Sequence, residues 1–216
     1  MAIFKAVVFD MDGTLLDNET LAKRFWRDAS LEFGLSVSES FLDKMIGTSA
    51  SFVRELYFSE FGQDCPYEEI RKRKMEIDFS YYRENGAPVK DGVVDVLEYL
   101  GISKKIPLAL ATSTERARTN LRLEVSGLAK YFDFTICGDE VLETKPNPEI
   151  YTRAFLALNV SPSDVLVVED SSSGVEAGIR SGANVAWVKD VQEINSDLRA
   201  SLWKELRTIR DIISCF

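Results

Sequence analysis

The chain has 216 residues, of which 45% are apolar, so it can bury one ordinary core, as one domain or as one domain that carries a smaller second one. Its formal charge of −9 disfavours nucleic acid and anionic membrane surfaces as partners. Because the chain contains no histidine, the Ser-His-Asp triad, the Cys-His pair and zinc held by histidine are all excluded. Any catalysis must therefore use carboxylates, lysine, hydroxyls and a metal ion bound through oxygen.

No apolar stretch approaches the roughly 20 residues that span a bilayer, and residues 1–5 lack the pattern of a secretion signal. The cysteines Cys65, Cys137 and Cys215 are widely spaced and form no CxxC pair, which predicts reduced thiols. We therefore expect a soluble, globular, cytoplasmic protein without an evident obligate protein partner.

Short apolar runs rich in β-branched residues alternate with helical patterns over most of the chain. The predicted strands are 4–9, 107–111, 134–137, 165–168 and 185–188. The predicted helices between them are 115–128, 148–158 and 174–181. Strands that alternate with helices predict an α/β protein whose parallel sheet is covered on both faces.

The interval 17–87 breaks this alternation, because it contains helix-like stripes and no strand-like run. We interpret it as a helical insertion between two parts of an α/β core, which comprises 1–16 and 88–216. Linkers at 16–18 and 86–88 would leave and re-enter the sheet beside its first strand, so the insertion is expected to act as a lid. The alternative is that these helices belong to one continuous core.

The most informative motif is Asp10-Met11-Asp12-Gly13-Thr14-Leu15, which directly follows the first predicted strand. Ligands of open α/β sheets bind where parallel strands end, so two acids at that point indicate chemistry. Asp and Gly also favour turns, and this motif alone does not decide between the two interpretations.

Polar residues also follow two later strands. Thr112 and Ser113 end the second strand before a helix, where they can cap the helix or help to bind phosphate. Glu169 and Asp170 end the fourth strand, and Asp170 is either a cap or a ligand of a hard metal ion. If the first strand lies between the second and the fourth, these side chains and Asp10 emerge at one point of the sheet.

The motif Lys145-Pro146-Asn147-Pro148 places a lysine in a stiffened loop before a helix. Most lysines are simply solvated. Two neighbouring prolines, however, fix the approach of this side chain in a way that an ordinary surface lysine does not require. Lys145 is therefore a candidate to meet negative charge at the strand ends.

Together these residues fit attack of a carboxylate on a phosphomonoester. In this hypothesis Asp10 is the nucleophile, and Asp12 protonates the departing oxygen and then deprotonates water. Magnesium would be held by the Asp10 carboxylate, the Asp12 carbonyl and Asp170, and Lys145 would add a second positive charge. The hydroxyl of Thr112 and the N–H groups around Met11 and Ser113 would bind phosphate oxygens.

These four motifs, in this order, resemble those of the haloacid dehalogenase superfamily, and they span nearly the whole chain. The insertion after the first motif is similar to the lid of its phosphoglycolate phosphatase and β-phosphoglucomutase branch. The resemblance implies a Rossmann-like, doubly wound parallel sheet with a smaller inserted α-helical cap, and a magnesium-dependent phosphatase acting through a phosphoaspartate.

The resemblance also implies the role of each residue. Asp10 and Asp12 would be catalytic, and the metal ligands would be Asp10, Asp12, Asp170 and possibly Glu169. The predicted contacts to phosphate or substrate are Met11, Thr112, Ser113, Arg116, Lys145 and, in a lid turn at 45–48, Gly47. The β-phosphoglucomutases that the chain resembles carry a lid histidine after the first motif, and 18–26 contain none, which places mutase activity in doubt.

Three alternatives stay open at this stage. Cys65 and Arg71 fit the Cys-x5-Arg spacing of cysteine phosphatases, but the intervening residues include two glutamates and no glycine. A phosphosugar mutase and a non-catalytic phosphometabolite-binding protein are the others. The sequence favours a small phosphorylated metabolite as substrate but does not choose among sugar phosphates, phosphoglycolate and nucleotides.

Overall fold

The computed structural model describes residues 4–46, 48, 50–191 and 193–216. Within them the chain divides into two compact units, one formed by 4–17 with 87–216 and the other by 18–86. The first contains the sheet and the second is helical. The predicted insertion, 17–87, extends one residue further at each end than this helical unit.

A six-stranded parallel sheet forms the first unit among the described residues. Its strands are β1 Ala6–Phe9, β2 Leu108–Thr112, β3 Phe134–Cys137, β4 Val165–Glu169, β5 Asn184–Val188 and β6 Lys204–Leu206. Their order across the sheet is β3-β2-β1-β4-β5-β6. The predicted doubly wound α/β fold is confirmed, and β1 lies between β2 and β4.

Helices cover both faces of this sheet. They are α5 Val93–Leu97, continued by a π-helical turn Glu98–Ser103, α6 Arg116–Ser126, α7 Glu149–Leu158, α8 Ser172–Arg180 and α9 Ser196–Ala200. Successive residues of a strand point to opposite faces, so β1 sends Val7 and Phe9 into one core and Ala6 and Val8 into the other. Burial on both faces explains why β1, β2 and β4 read as continuous apolar runs.

The strand β6 was missed by the sequence analysis. Its three residues include Lys204 and Glu205, and it pairs only along the edge of the sheet with β5. Such a short, charged strand carries no apolar alternation, so periodicity cannot detect it. Charged residues are typical of edge strands, where they discourage pairing with another chain.

The helical unit contains α1 Glu19–Glu32, α2 Glu39–Asp43, α3 Ala50–Phe61 and α4 Tyr67–Asn85, and its described residues form no strand. Its own core is rich in aromatic side chains, with Phe41 and Tyr57 packed edge to face. A buried ion pair between Lys74 and Asp78 joins successive turns of α4. No described helix has the combination of length and apolar composition that a bilayer crossing requires.

The two segments that flank the helical unit pair with each other inside the first unit. Leu16 and Val89 form an antiparallel bridge. Asp17 N–H donates to the Pro88 carbonyl, and Lys90 N–H donates to the Leu15 carbonyl, both at 2.9 Å. The loop that follows β1 is therefore closed and fixed before the chain leaves for the helical unit.

Close packing between α8 and the sheet generates a stability prediction. A methyl group on Gly178 would lie 2.8 Å from Val185 Cγ2, closer than carbon atoms pack. We expect Gly178→Ala to destabilise the protein by about 1–3 kcal/mol, although alanine is the better helix former. Glu176→Ala on the same helix, which removes only a partly exposed ion pair, is the control and is expected to change stability by less than about 1 kcal/mol. Urea unfolding of both variants measures this, and an unchanged or raised midpoint for Gly178→Ala contradicts it.

Candidate active site

The ends of β1, β2 and β4 bring the predicted site residues to one edge of the sheet. Asp10 follows β1, and its N–H donates to the Val168 carbonyl of β4 at 3.0 Å. Thr112 is the last residue of β2, and Glu169 is the last residue of β4. Because β1 lies between the other two strands, three polar residues far apart in sequence become neighbours.

Lys145 is the centre of this group. Its ammonium donates to Asp10 Oδ1 at 2.5 Å, to Glu169 Oε1 at 2.6 Å and to the Ala111 carbonyl at 2.9 Å. An ammonium has three protons, so each one has an acceptor. All three charged side chains are buried, and one cation therefore faces two carboxylates inside the protein.

Glu169 fixes the lysine from the other side. Its Oε1 also accepts the Tyr151 hydroxyl at 2.6 Å, and its Oε2 accepts the N–H groups of Asp170 and Ser171 at 3.0 and 3.2 Å. Both oxygens are thus already hydrogen-bonded, so a metal ion would have to replace a donor to reach them. In this geometry Glu169 anchors Lys145, and its predicted role as a metal ligand stays a prediction.

Burial and charge shift the pKa values of this group. Desolvation, together with the nearby Glu169 and Asp12, raises the pKa of Asp10 to about 8, although Lys145 opposes the shift. Burial by itself disfavours the charged form of Lys145, but the carboxylates of Asp10 and Glu169 outweigh it and raise the pKa of Lys145. The lysine stays positive, and the site is short of positive charge.

The residues fit a divalent cation that prefers oxygen ligands. Carboxylate oxygens of Asp10, Glu169 and Asp170 all lie within 4.8 Å of one another. The Asp170 carboxylate is oriented by Thr14, whose hydroxyl donates to Oδ1 at 2.9 Å. A methyl group on Gly13, which has φ +83°, would overlap that carboxylate, so only glycine lets the backbone approach it. Hard oxygen donors of this kind suit Mg²⁺ or Ca²⁺.

Asp12 occupies a different environment. Its Oδ1 accepts from Arg122 Nη1 at 2.6 Å, and its Oδ2 accepts from the Thr114 hydroxyl at 2.5 Å. The arginine side chain is only 3% exposed, whereas 29% of the Asp12 side chain is exposed. Both partners were missed by the sequence analysis. A buried position for Arg122 is detectable only from its place on the same helix face as Thr119 and Leu123.

The other residues that were predicted to contact phosphate or substrate differ in their burial. Thr112 is buried at the strand end, where its hydroxyl accepts the Thr114 N–H at 3.1 Å. Ser113 is exposed directly after it. The side chain of Met11 is buried, and its carbonyl accepts from two N–H groups of its own turn. Gly47 lies outside the described residues.

Arg116 is not brought to this group, and its predicted contact with substrate stays a prediction. Its guanidinium donates to both oxygens of Glu140 and to the Thr135 carbonyl, and its N–H donates to Asp139. These bonds fasten the first turn of α6 to β3 and to the segment that follows it. A guanidinium held in this way is a structural link.

Lys90 is a further cation that the sequence analysis missed. Its ammonium donates to the Gly13 carbonyl and pairs with Asp190 Oδ1 at 2.5 Å. It therefore ties the loop after β1 to the segment after β5. The Trp187 indole N–H, which donates to the Asp170 carbonyl at 2.7 Å, holds the neighbouring backbone in the same way.

Comparison with known proteins identifies the class. Residues 7–188 match the sequence model of the family described as haloacid dehalogenase-like hydrolase. A phosphorylated carbohydrates phosphatase of Thermotoga maritima is 36% identical over 182 residues, which cover 82% of each chain. A fructose-1-phosphate phosphatase of Escherichia coli is 25% identical over 186 residues, 86% of this chain and 97% of the relative.

A solved structure, the β-phosphoglucomutase of Clostridium difficile, superposes with a TM-score of 0.80 at 22% identity, covering 97% of this chain and 93% of that one. At that identity the likeness concerns the fold. The fold and the site are those of an α/β hydrolytic enzyme. The chain belongs to the haloacid dehalogenase-like hydrolase family, as its motifs predicted.

The close packing of Gly174 against Glu169 generates a prediction for the site. A methyl group there would overlap the Glu169 carboxylate, which must then move and release its hold on Lys145. We expect Gly174→Ala to lower kcat by about 100-fold, because a displacement of about 1 Å is that costly for a catalytic group. Ser172→Ala, in the same turn of α8, is the control and is expected to keep full activity. Steady-state kinetics with an aryl phosphate measures kcat for both variants. A wild-type kcat for Gly174→Ala contradicts the prediction that Glu169 must stay in place to hold Lys145.

Proposed function

We propose that this protein is a magnesium-dependent phosphatase that hydrolyses a small phosphorylated metabolite through a phosphoaspartate on Asp10. The observation that carries the proposal is the buried Asp10 carboxylate at the end of β1, with Lys145 on one oxygen and Asp170 beside it. The phosphatases among the relatives support it, since they act on phosphorylated carbohydrates and on fructose 1-phosphate.

Charge decides what the site must contain. A phosphomonoester dianion that meets one carboxylate at about 4 Å is repelled by about 8 kcal/mol at an effective dielectric of about 20. Lys145 already shares its charge between Asp10 and Glu169, so it offsets only part of this repulsion. Additional positive charge is therefore required.

A divalent cation held by the carboxylates of Asp10 and Asp170, and by the Asp12 carbonyl, would supply that charge and polarise a phosphoryl oxygen. The role of Glu169 in this proposal is to orient Lys145 through its Oε1. At the carboxyl end of β2, we assign the Thr112 hydroxyl and the Ser113 N–H as donors to phosphate oxygens.

In the first step an Asp10 carboxylate oxygen forms a bond to phosphorus, and the bond between phosphorus and the leaving oxygen breaks. The leaving oxygen takes a proton from the Asp12 carboxyl, so an alcohol departs and a phosphoaspartate is left. When Asp10 becomes an acyl phosphate it loses its negative charge, which leaves with the departing oxygen and, once that oxygen is protonated, stays on Asp12. The Lys145 N–H group that was hydrogen-bonded to Asp10 is then available to donate to a phosphoryl oxygen.

In the second step a water molecule attacks phosphorus, and the Asp12 carboxylate accepts its proton. The bond between phosphorus and Asp10 breaks, which releases phosphate and restores the Asp10 carboxylate and the Asp12 carboxyl. Asp12 suits both steps because its side chain is partly exposed while Asp10 is buried. The acyl phosphate is labile, so one difficult cleavage becomes two easier ones.

The cysteine phosphatase alternative loses its structural basis. Burial raises the pKa of the Cys65 thiol, whereas a nucleophilic cysteine needs a lowered one. The residues between Cys65 and Arg71 enter helix α4 at Tyr67 instead of forming a loop around an anion. Glu68 within them is paired with Arg54.

Replacement of the nucleophile gives a direct prediction. Asp10→Asn is expected to lower kcat for p-nitrophenyl phosphate by at least about 1,000-fold, because an amide oxygen does not form the covalent intermediate. The variant should remain folded, since the asparagine removes a carboxylate from a site with too much negative charge. Asp164→Asn, which removes only a surface pair with Lys5, should keep wild-type activity. Retained phosphate release by Asp10→Asn refutes the nucleophile assignment.

Removal of metal ions gives a second prediction. Treatment with EDTA is expected to abolish phosphate release from p-nitrophenyl phosphate, and added Mg²⁺ should restore it. In the metal-free protein Mg²⁺ should also raise Tm, because it binds the folded state. Cys65→Ser should retain activity and the same sensitivity to EDTA. Turnover that is unaffected by EDTA, or lost in Cys65→Ser, is incompatible with the proposed mechanism.

A further inference from the structure

A buried arginine on α6 reaches across to the loop after β1. Arg122 is 110 residues from Asp12 in sequence, and its Nη1 lies 2.6 Å from Asp12 Oδ1. Only 3% of the arginine side chain is exposed. It occupies the face of α6 that also carries Thr119 and Leu123, where an apolar residue would pack at lower cost.

The second oxygen of Asp12 is held from the start of the same helix. The Thr114 hydroxyl donates to Asp12 Oδ2 at 2.5 Å. Thr114 is itself fixed, because its N–H donates to Thr112 Oγ1 at 3.1 Å and its carbonyl accepts the Gly138 N–H at 3.1 Å. Each oxygen of Asp12 therefore accepts a hydrogen bond from a donor whose position is fixed.

We infer that Arg122 and Thr114 are positioning residues that hold the Asp12 carboxyl in the orientation required for proton transfer. This inference rests on the proposed function, in which Asp12 gives a proton to the leaving group and takes one from water. The guanidinium has donors only, while the threonine hydroxyl both donates and accepts. The pair therefore fixes the plane of the carboxyl, and the hydroxyl adapts as the proton leaves and returns.

The exposed fractions of the Asp12 and Arg122 side chains agree with this positioning role. Of the Asp12 side chain, 29% remains exposed, so its outer side can approach a substrate while Arg122 stays covered behind it. A purely structural arginine would not need a partly exposed carboxylate as partner.

The test uses two esters that differ in their need for a proton. p-Nitrophenolate leaves readily without one, whereas the more basic phenolate requires protonation as the bond to phosphorus breaks. Rapid mixing measures the first turnover of each ester with wild-type enzyme and Mg²⁺. Arg122→Met removes the donor and retains an unbranched side chain in the same space. Arg180→Met, which removes an exposed pair on α8, is the control.

We expect Arg122→Met to slow the first turnover of phenyl phosphate by about 10- to 100-fold, and that of p-nitrophenyl phosphate by less than about threefold. Hydrolysis of the phosphoenzyme also needs Asp12, so p-nitrophenol should appear in a burst before a slower steady state. Arg180→Met should match the wild type with both esters. An equal loss for the two esters, or no loss, overturns the inference.

Thr114 provides an independent variant if Arg122→Met does not fold. Thr114→Val removes the hydroxyl and preserves the shape, and Thr114→Ser preserves the hydroxyl. Thr114→Val is expected to show the same selective loss with phenyl phosphate, whereas Thr114→Ser should not. If the two variants behave alike, Thr114 does not position Asp12 and the inference fails.

The controls separate this inference from the proposed function. If wild-type enzyme releases phosphate from neither ester, or if Asp10→Asn remains active, the proposed function fails. If the wild type turns over both esters, Asp10→Asn is inactive and the variants at 122 and 114 keep the wild-type ratio between the esters, only the positioning role fails.

Discussion

The site depends on one buried lysine that forms ion pairs with two buried carboxylates. Lys145 bonds to Asp10 and to Glu169, and its third proton goes to the end of β2. One lysine faces two carboxylates, and burial, together with the nearby Glu169 and Asp12, raises the pKa of Asp10 although Lys145 opposes the shift. A protein that needed only stability would replace such a cluster by apolar side chains. The excess negative charge is explained if a cation joins the group during function.

Two carboxylates that are two residues apart are given different surroundings. Asp10 is buried against Lys145, and Asp12 is partly exposed between Arg122 and Thr114. Different environments for a pair of acids are the usual basis of different roles, which in the proposed mechanism are those of a nucleophile and a proton carrier. The separation follows from the fold, since one acid faces the β4 side of the sheet and the other is held by residues at and after the end of β2.

Much of the fold and part of the site could be predicted from sequence. The central strands are buried on both faces, so each appears as an apolar run, and the acids that follow β1 and β4 mark the edge where ligands bind. Arg122 and Tyr151 could not be predicted as site residues, because each reaches the acids only through a tertiary contact and helical periodicity treats both as ordinary positions. The contacts of Arg116 could not be predicted for a related reason: a helix start close to the strand ends does not reveal that the side chain turns to Glu140.

The glycines explain why this arrangement tolerates so little change. Methyl groups on Gly13 and Gly174 would overlap the carboxylates of Asp170 and Glu169 respectively, so the backbone itself forms part of the wall around the acids. Because Asp10, Asp170 and Glu169 are buried, attraction and repulsion between their charges and that of Lys145 are stronger than they would be in water. The same burial that strengthens the bonds of Lys145 therefore raises the cost of the negative charge that Lys145 leaves unpaired. On this argument, close packing around the acids and the need for a cation are one constraint, and it acts on the same few residues.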